Sequence, residues 1–431
     1  MFRAIIAEDF PPFGQLALEL LPVADKPKEL AEVHLFTGVN GTGKTRLLCL
    51  LAAMLGNPYP LIKRMKGITS QTRVGVADKE SSPPPHWESR GSLLADKDDR
   101  TPWIFFQLEQ GSFRRQSEGR PIVDWLRSVP AFAYRSSPYV SDAEIQTMHA
   151  VPSLNRLEYL SFDRGAEASQ ALLQRIADLL IQAALEVRNP QFPGETGRAD
   201  KLLHTLELAI IQITGVNFRF DLHTHPSVSL NVIWGDVPLS FDVLPDGLRS
   251  IIGWMVHALV MMDLWLEGKK DPIQTEAVFL LDEIENNLHP AWQRRILPAF
   301  QHLFPKAQIF VATHSPFVIA SINHGWIHQF TITSDGKSKV EKQVPAGKGE
   351  SYISVVEDIM GMKEWYDVET EKLLAEFRNK RDKAYKGDSE AQKEARQLGT
   401  KIGERSMELD FMMGKELIQM DRQLAKNAGQ K

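Results

Sequence analysis

The stretch "FTGVNGTGKTRLLCLL" at residues 36–51 places Gly38, Gly41, Gly43, Lys44 and Thr45 at the spacing of a phosphate-binding loop. Glycines let the backbone curl so that its N–H groups point at phosphate oxygens, and the helix that follows adds the positive end of its dipole. Lys44 has the reach for β and γ phosphates, and Thr45 carries the hydroxyl that a Mg²⁺ ion takes as ligand. The nucleotide-contacting set is therefore Asn40, Gly41, Gly43, Lys44 and Thr45. A second motif, "VFLLDEIENNLHP", ends an apolar run on Asp282 and Glu283. Phosphoryl transfer needs an acid on Mg²⁺ and a group that orients or deprotonates the attacking water. Asp282 fits the metal role and Glu283 the base. A third, "FVATHSP", puts His314 after an apolar strand, where an imidazole can hydrogen-bond a γ-phosphate. A fourth, "FDVLPDGLRSIIGWM", sets Asp246 and Gly247 at a helix N-terminus, whose bare N–H groups make an anion site. A simple helix cap explains that stretch equally well on its own.

Such loops need strands and helices to hold them. "VHLFTG" (33–38) reads as a buried strand, and "KTRLLCLLAAMLG" as the helix that follows the loop. "AVFLLDE" and "AQIFVATHS" are further buried strands, separated by the helical "PAWQRRILPAFQHLF". Strand-like pieces also occur at "PWIFFQL" and "VPAFAYRSS". Helical periodicity runs over 168–189 and 199–214, and a long apolar helix starts at "DGLRS". "SVSLNVIWGDVPLSFDVL" alternates like a hairpin turning at Gly235 and Asp236. Residues 56–102 are polar and rich in proline, an irregular connection. From "MKEWYDVETEKLL" onward the chain is charged and helical. Alternating strands and helices predict an α/β core around a mainly parallel sheet.

Composition sets outer bounds. Among 431 residues, 43% are hydrophobic and 24% charged, as in an ordinary globular chain. No run reaches the roughly 18 to 20 apolar residues of a membrane helix, so no membrane partner is expected. The start of the chain lacks the pattern of a signal peptide. The single cysteine, Cys49, excludes internal disulfides and fits a cytoplasmic setting. The net charge of −5 gives no overall attraction for nucleic acid, although Lys63 and the pair Arg114 and Arg115 sit in basic clusters. His223 and His225 are two apart, a spacing seen at metal sites, but without a third or fourth ligand in view.

The order of "GVNGTGKT", "LPDGLRS", "VFLLDEIENNLHP" and "ATHSP" resembles the ABC-type ATPases, more narrowly their soluble RecF, SMC and OLD branch. That resemblance implies a P-loop NTPase fold: a two-lobed head with a mixed sheet and a helical lobe, followed by a helical C-terminal extension. It implies an ATPase domain over 1–335, with an insertion at about 56–240, and an extension over 336–431. Residues 38–45 would be the Walker A loop, Asp282 and Glu283 the Walker B pair, and His314 the switch histidine. Leu244 to Leu248 stand where the signature loop stands, and Asp246 and Gly247 within it would cap ATP in a second copy, giving a homodimer or higher oligomer through ATP. The family's signature serine is replaced by Pro245, which has neither a hydroxyl nor an N–H. Gln107 is a weak counterpart of the coupling glutamine.

Neither the acidic metal-binding set of the OLD nucleases nor a long coiled coil is visible in the sequence. The helical tail is similar to that of stand-alone defence ATPases, the PtuA family of the Septu antiphage systems, which work with an HNH nuclease. The resemblance implies an ATPase, with ATP and Mg²⁺, that regulates a nuclease partner. The alternative is a RecF-like DNA-binding repair ATPase acting without a nuclease, and DNA or RNA is a candidate partner. A small-molecule kinase would need neither "LPDG" nor "ATHSP", and a transporter would need the coupling glutamine.

Overall fold

The computed structural model describes residues 1–64, 72–77, 103–109, 112–115, 121–137, 140–142, 145, 156–164, 166–187, 197–225, 228–347 and 351–428. The chain divides into two compact units, Met1–Met360 and Gly361–Lys431.

In the first unit, β1 (Ala4–Glu8) and β2 (Gln15–Glu19) form an antiparallel pair. β3 (Glu32–Gly38) then runs into the glycine-rich loop and α1 (Lys44–Met54). Strands β4 (Arg73–Ala77), β5 (Trp103–Glu109) and β6 (Ser112–Arg115) extend the first pair into a five-stranded sheet of order β2-β1-β4-β5-β6. Next come β7 (Ala131–Arg135), helices α2 (Ala166–Val187) and α3 (Arg198–Thr214), and a three-stranded meander of β8 (Phe218–His223), β9 (Ser229–Trp234) and β10 (Val237–Leu239). The expected hairpin turn at Gly235 is present, with φ of 65°.

Helix α4 (Asp246–Trp265) precedes β11 (Val278–Asp282), α5 (Pro290–Leu303) and β12 (Gln308–Ala312). By length and composition α4 passes for a membrane span, which the sequence reading did not anticipate, yet 94% of its apolar window is buried in the unit. It is a core helix. Then come β13 (Trp326–Ile332) and β14 (Ser338–Pro345), and a short helical segment before Met360 ends the unit. β14 pairs with β13 inside the central sheet, and the unit runs to Met360, whereas the sequence reading began the extension at 336. A charged, half-exposed edge strand carries little apolar signal, which is why that boundary reads early.

The central sheet has the order β14-β13-β3-β12-β11-β7, parallel throughout except for the β13–β14 pair. Strands β3, β12, β11 and β7 are largely apolar and buried on both faces, as covered parallel strands must be. The period-two alternation shows directly: Val33, Leu35, Phe279, Leu281, Ile309 and Val311 join one core, beneath the helical lobe. Phe36, Val278, Leu280, Phe310 and Ala312 join the other, with α1 and the first sheet. The five parallel strands β13, β3, β12, β11 and β7 therefore end on the same side of the sheet.

Among the described residues the second unit forms three helices, α6 (Val368–Tyr385), α7 (Ser389–Gly403) and α8 (Met407–Ala428). Asp367 and Asp388 cap the first two, and Leu374, Phe377, Ala395, Ile402, Leu409, Met413 and Met420 form its own small core.

Among the described residues of the first unit, three histidines are fully or nearly fully enclosed. His34 bonds Glu32 at 3.0 Å and His328 at 3.1 Å, and His257 bonds the Tyr134 hydroxyl at 2.8 Å. Burial pulls all three below the ordinary histidine range, Glu32 resisting at His34. The unfolded chain takes up these protons near pH 6.5 and the folded one does not, so stability is present above that pH and lost below it. Stability should therefore fall as the pH is lowered from about 7.5 to about 5.5, most through His257 and His328, which burial holds well below the ordinary range. Urea midpoints measured across that window check this; a flat profile contradicts it.

Candidate functional site

The site assembles at the edge where β3, β12, β11 and β7 end. Gly38, the last residue of β3, has φ of 144°, and a Cβ there would lie 2.2 Å from the Phe330 carbonyl oxygen of β13. Only glycine fits. Gly43, with φ of 89°, starts α1, and a Cβ on it would meet Phe13 and Pro12 below 3 Å. The loop thus turns tightly because two close backbone approaches leave no room for side chains, while Asn40 and Gly41 remain exposed at its tip. Lys44 folds back into the loop, its Nζ donating to Gly38 O at 2.7 Å and Val39 O at 3.1 Å. Burial pulls this amine down to about 8, against the pull of Asp282, Glu283 and Glu285.

Thr45 Oγ1 donates to Asp282 Oδ1 at 2.8 Å. Asp282 is wholly buried at the end of β11, and burial pushes its carboxyl up, opposed by hydrogen bonds from Arg135 and Thr45. A hydroxyl beside carboxylate oxygens is a donor set that suits a hard divalent cation such as Mg²⁺. The next residue, Glu283, is half-buried and adopts φ of 52°, a left-handed backbone uncommon for glutamate and frequent at functional positions. Its N–H donates to Ala312 O at 2.8 Å, and its Oε2 accepts from Asn286 at 3.0 Å.

His314 follows β12, as expected. Burial and then the Lys44 charge pull its imidazole below the ordinary range. What fixes it is Glu285, which sequence reasoning passed over. Glu285 Oε1 accepts from Thr313 Oγ1 at 2.7 Å and from the His314 N–H at 2.8 Å. Ser315 caps the following turn and donates to Gln293 Oε1 at 2.6 Å, while Gln293 reaches back to the Leu288 carbonyl at 3.0 Å. "LHP" has a plain structural meaning too: Leu288 is buried, His289 caps α5 and Pro290 opens it.

Arg135 is the second omission. It ends β7 opposite Asp282 and donates from Nε and Nη2 to Oδ2 at 3.0 and 2.5 Å. A charged residue closing the apolar run "VPAFAY" was the available signal.

Asp246 and Gly247 start α4. Asp246 is exposed and pairs with Arg249 at 2.7 Å. Gly247 is buried, and a Cβ there would fall 2.7 Å from the Asn287 carbonyl and 3.2 Å from Trp292. Packing within the chain therefore demands this glycine. His223 pairs with Asp221 at 2.8 Å, and His225 lies beyond the strand, so the two rings do not share a strand face. Among the described residues no group of three or more histidine, cysteine or acidic side chains makes a metal cluster. Cys49 is buried in α1 with its thiol pushed up to about 12 by burial, which leaves it inert. The strands carrying Gln107, Arg114 and Arg115 are present, but those side chains lie outside the described residues.

Residues 135–320 match the family model described as "AAA domain, putative AbiEii toxin, Type IV TA system". The matched segment opens on Arg135 and takes in Asp282, Glu283 and His314. The "Retron Ec83 probable ATPase" of Escherichia coli is 27% identical over 164 residues, 38% of this chain and 29% of that protein. The "Septu protein PtuA" of Bacillus thuringiensis is 30% identical over 132 residues, 29% of this chain and 33% of that protein. The chain thus spans about a third or less of the length of these curated relatives. A solved SMC head bound to the C-terminal winged-helix domain of ScpA aligns with 80% of this chain and 98% of its own, at 11% identity and a TM-score of 0.42.

Glu285→Ala would leave the Thr313 hydroxyl and the His314 N–H without their buried acceptor, at a cost of about 2–3 kcal/mol. Glu285→Gln keeps an acceptor and should cost less than about 1 kcal/mol. Denaturant midpoints of the two variants test this; equal losses would show that charge rather than acceptor geometry holds His314.

Proposed function

We propose that this chain, an ABC-type ATPase of the AAA class similar to the Septu protein PtuA, hydrolyses ATP in order to control a nuclease partner in an antiphage complex. The observation that carries the reading is the convergence of Lys44, Thr45, Asp282, Glu283 and His314 on one sheet edge, at the mouth of a phosphate-binding loop.

In this reading the 38–45 backbone cradles the ATP phosphates, and Lys44 leaves its carbonyl partners to reach the β and γ oxygens. Thr45 and Asp282 would hold Mg²⁺, which when bound neutralises charge on those oxygens. Glu283 accepts the proton of the attacking water and aims it in line. His314, kept neutral by burial and by Lys44, hydrogen-bonds the γ-phosphate from a loop locked by Glu285. A second copy would close the site with Asp246 and the α4 N-terminus. The Pro245 carbonyl cannot replace the donor a serine would supply there, so trans contact rests on backbone N–H groups. Support for the defence role is similarity to proteins named Septu PtuA and retron ATPase. The cleaving chemistry would come from the partner, in the cytoplasm.

Glu283→Gln keeps the size of the side chain and removes the base. Turnover of ATP should fall at least about 100-fold while ATP binding persists. Native mass spectra of that variant with ATP should show paired copies. Unchanged turnover would overturn the role of Glu283 and with it the hydrolytic reading.

A further inference from the structure

Asp282 Oδ1 faces the Thr45 hydroxyl, and its Oδ2 is held by the fork of Arg135. A guanidinium is charged at every working pH, and two of its donors, Nε and Nη2, converge here on the one oxygen Oδ2 in charge-assisted hydrogen bonds. A divalent cation on the same carboxylate would sit within a few ångströms of that fixed positive charge, and the two would repel. Arg135 and the cation therefore compete for Asp282. The arginine also has somewhere to go. Its Nη1 already lies 3.2 Å from Asp163 Oδ1, whose side chain is 66% exposed and holds a partner at little cost.

The neighbouring residue makes the exchange mechanically visible. Ser136 Oγ lies 2.6 Å from Ser250 Oγ on α4, and it donates to the Asn286 carbonyl at 2.7 Å, three residues beyond Glu283. A shift at Arg135 thus pulls on the helix start and on the turn that carries the base.

We propose that Arg135 is a displaceable internal counter-ion of Asp282: a positioning residue that sets how readily a divalent cation enters the site, handing its charge to Asp163 when one does. The proposal rests on the reading of Asp282 as the metal carboxylate. It predicts opposite effects for two changes. Arg135→Ala frees Asp282 and strengthens cation binding. Asp163→Ala removes the alternative acceptor, keeps Arg135 on Asp282 and weakens it.

The test is Mn²⁺ binding to the full chain without nucleotide, followed by electron paramagnetic resonance of the free ion, with thermal melts to confirm folding. Arg135→Ala should bind Mn²⁺ on the order of tenfold more tightly than the unaltered chain, and Asp163→Ala several-fold more weakly. In the double variant the Asp163→Ala effect should vanish, because no arginine remains to be parked; a purely long-range charge effect would persist. Should Arg135→Ala fail to fold, Arg135→Lys, which loses the fork but keeps the charge, should still tighten binding, by less. Equal or weaker Mn²⁺ binding by the arginine variant overturns the proposal, as does an Asp163 effect that survives in the double variant. ATP affinity measured alongside separates the two layers: ATP bound without an Mn²⁺ effect rejects the counter-ion alone, and no ATP bound by the unaltered chain rejects the underlying reading.

Discussion

A carboxylate with no exposed surface, Asp282, is the constraint on which the site depends. Burying an unpaired charge of this kind costs several kcal/mol, so the fold must bring partners to it. They arrive from distant parts of the chain: Thr45 from the first turn of α1, Arg135 from the end of β7. Both can reach only if β7 and β11 pair in parallel with Arg135 opposite Asp282, and if β12 spaces β11 from β3 by one strand. Charge-assisted hydrogen bonds of about 1.5–3 kcal/mol each offset the burial. The sheet order thus follows electrostatics as well as hydrophobic alternation.

The same edge shows how the flanking loops are kept stiff. Glu285 ties the acidic strand's loop to His314 through two hydrogen bonds, and Gln293 ties α5 to the Ser315 cap. The left-handed Glu283 persists because its N–H is anchored on Ala312 and its side chain on Asn286. Strain at a would-be catalytic residue is held in place by ordinary hydrogen bonding around it. Beneath these loops the two cores grip the sheet from both sides, and the glycines of the phosphate loop press on Phe13, Pro12 and the Phe330 carbonyl.

Much of this was legible in the residues. The glycine loop, the acid pair, the histidine after β12 and two helices follow from local spacing: the helices expected over 168–189 and 199–214 stand at Ala166–Val187 and Arg198–Thr214, residues 188–189 lying outside the described residues. What was not legible is nonlocal. The pairing of β1 with β4, or of β13 with β3, joins stretches that are unremarkable alone. Arg135 and Asp282 are 147 residues apart, and nothing in either segment announces the other. Gly247 illustrates the converse: a glycine at a helix start suggests an anion site, yet its missing Cβ is already accounted for by the Asn287 carbonyl.

In the proposed function the 38–45 loop and Asp282 would together make one nucleotide–metal site per chain. Titration calorimetry of ATP into the full chain, with and without Mg²⁺, tests it most directly. Saturable binding of one ATP per chain is expected, tightened by Mg²⁺ and lost in Lys44→Ala. No binding heat in either condition, or binding that survives unchanged in Lys44→Ala, would contradict it.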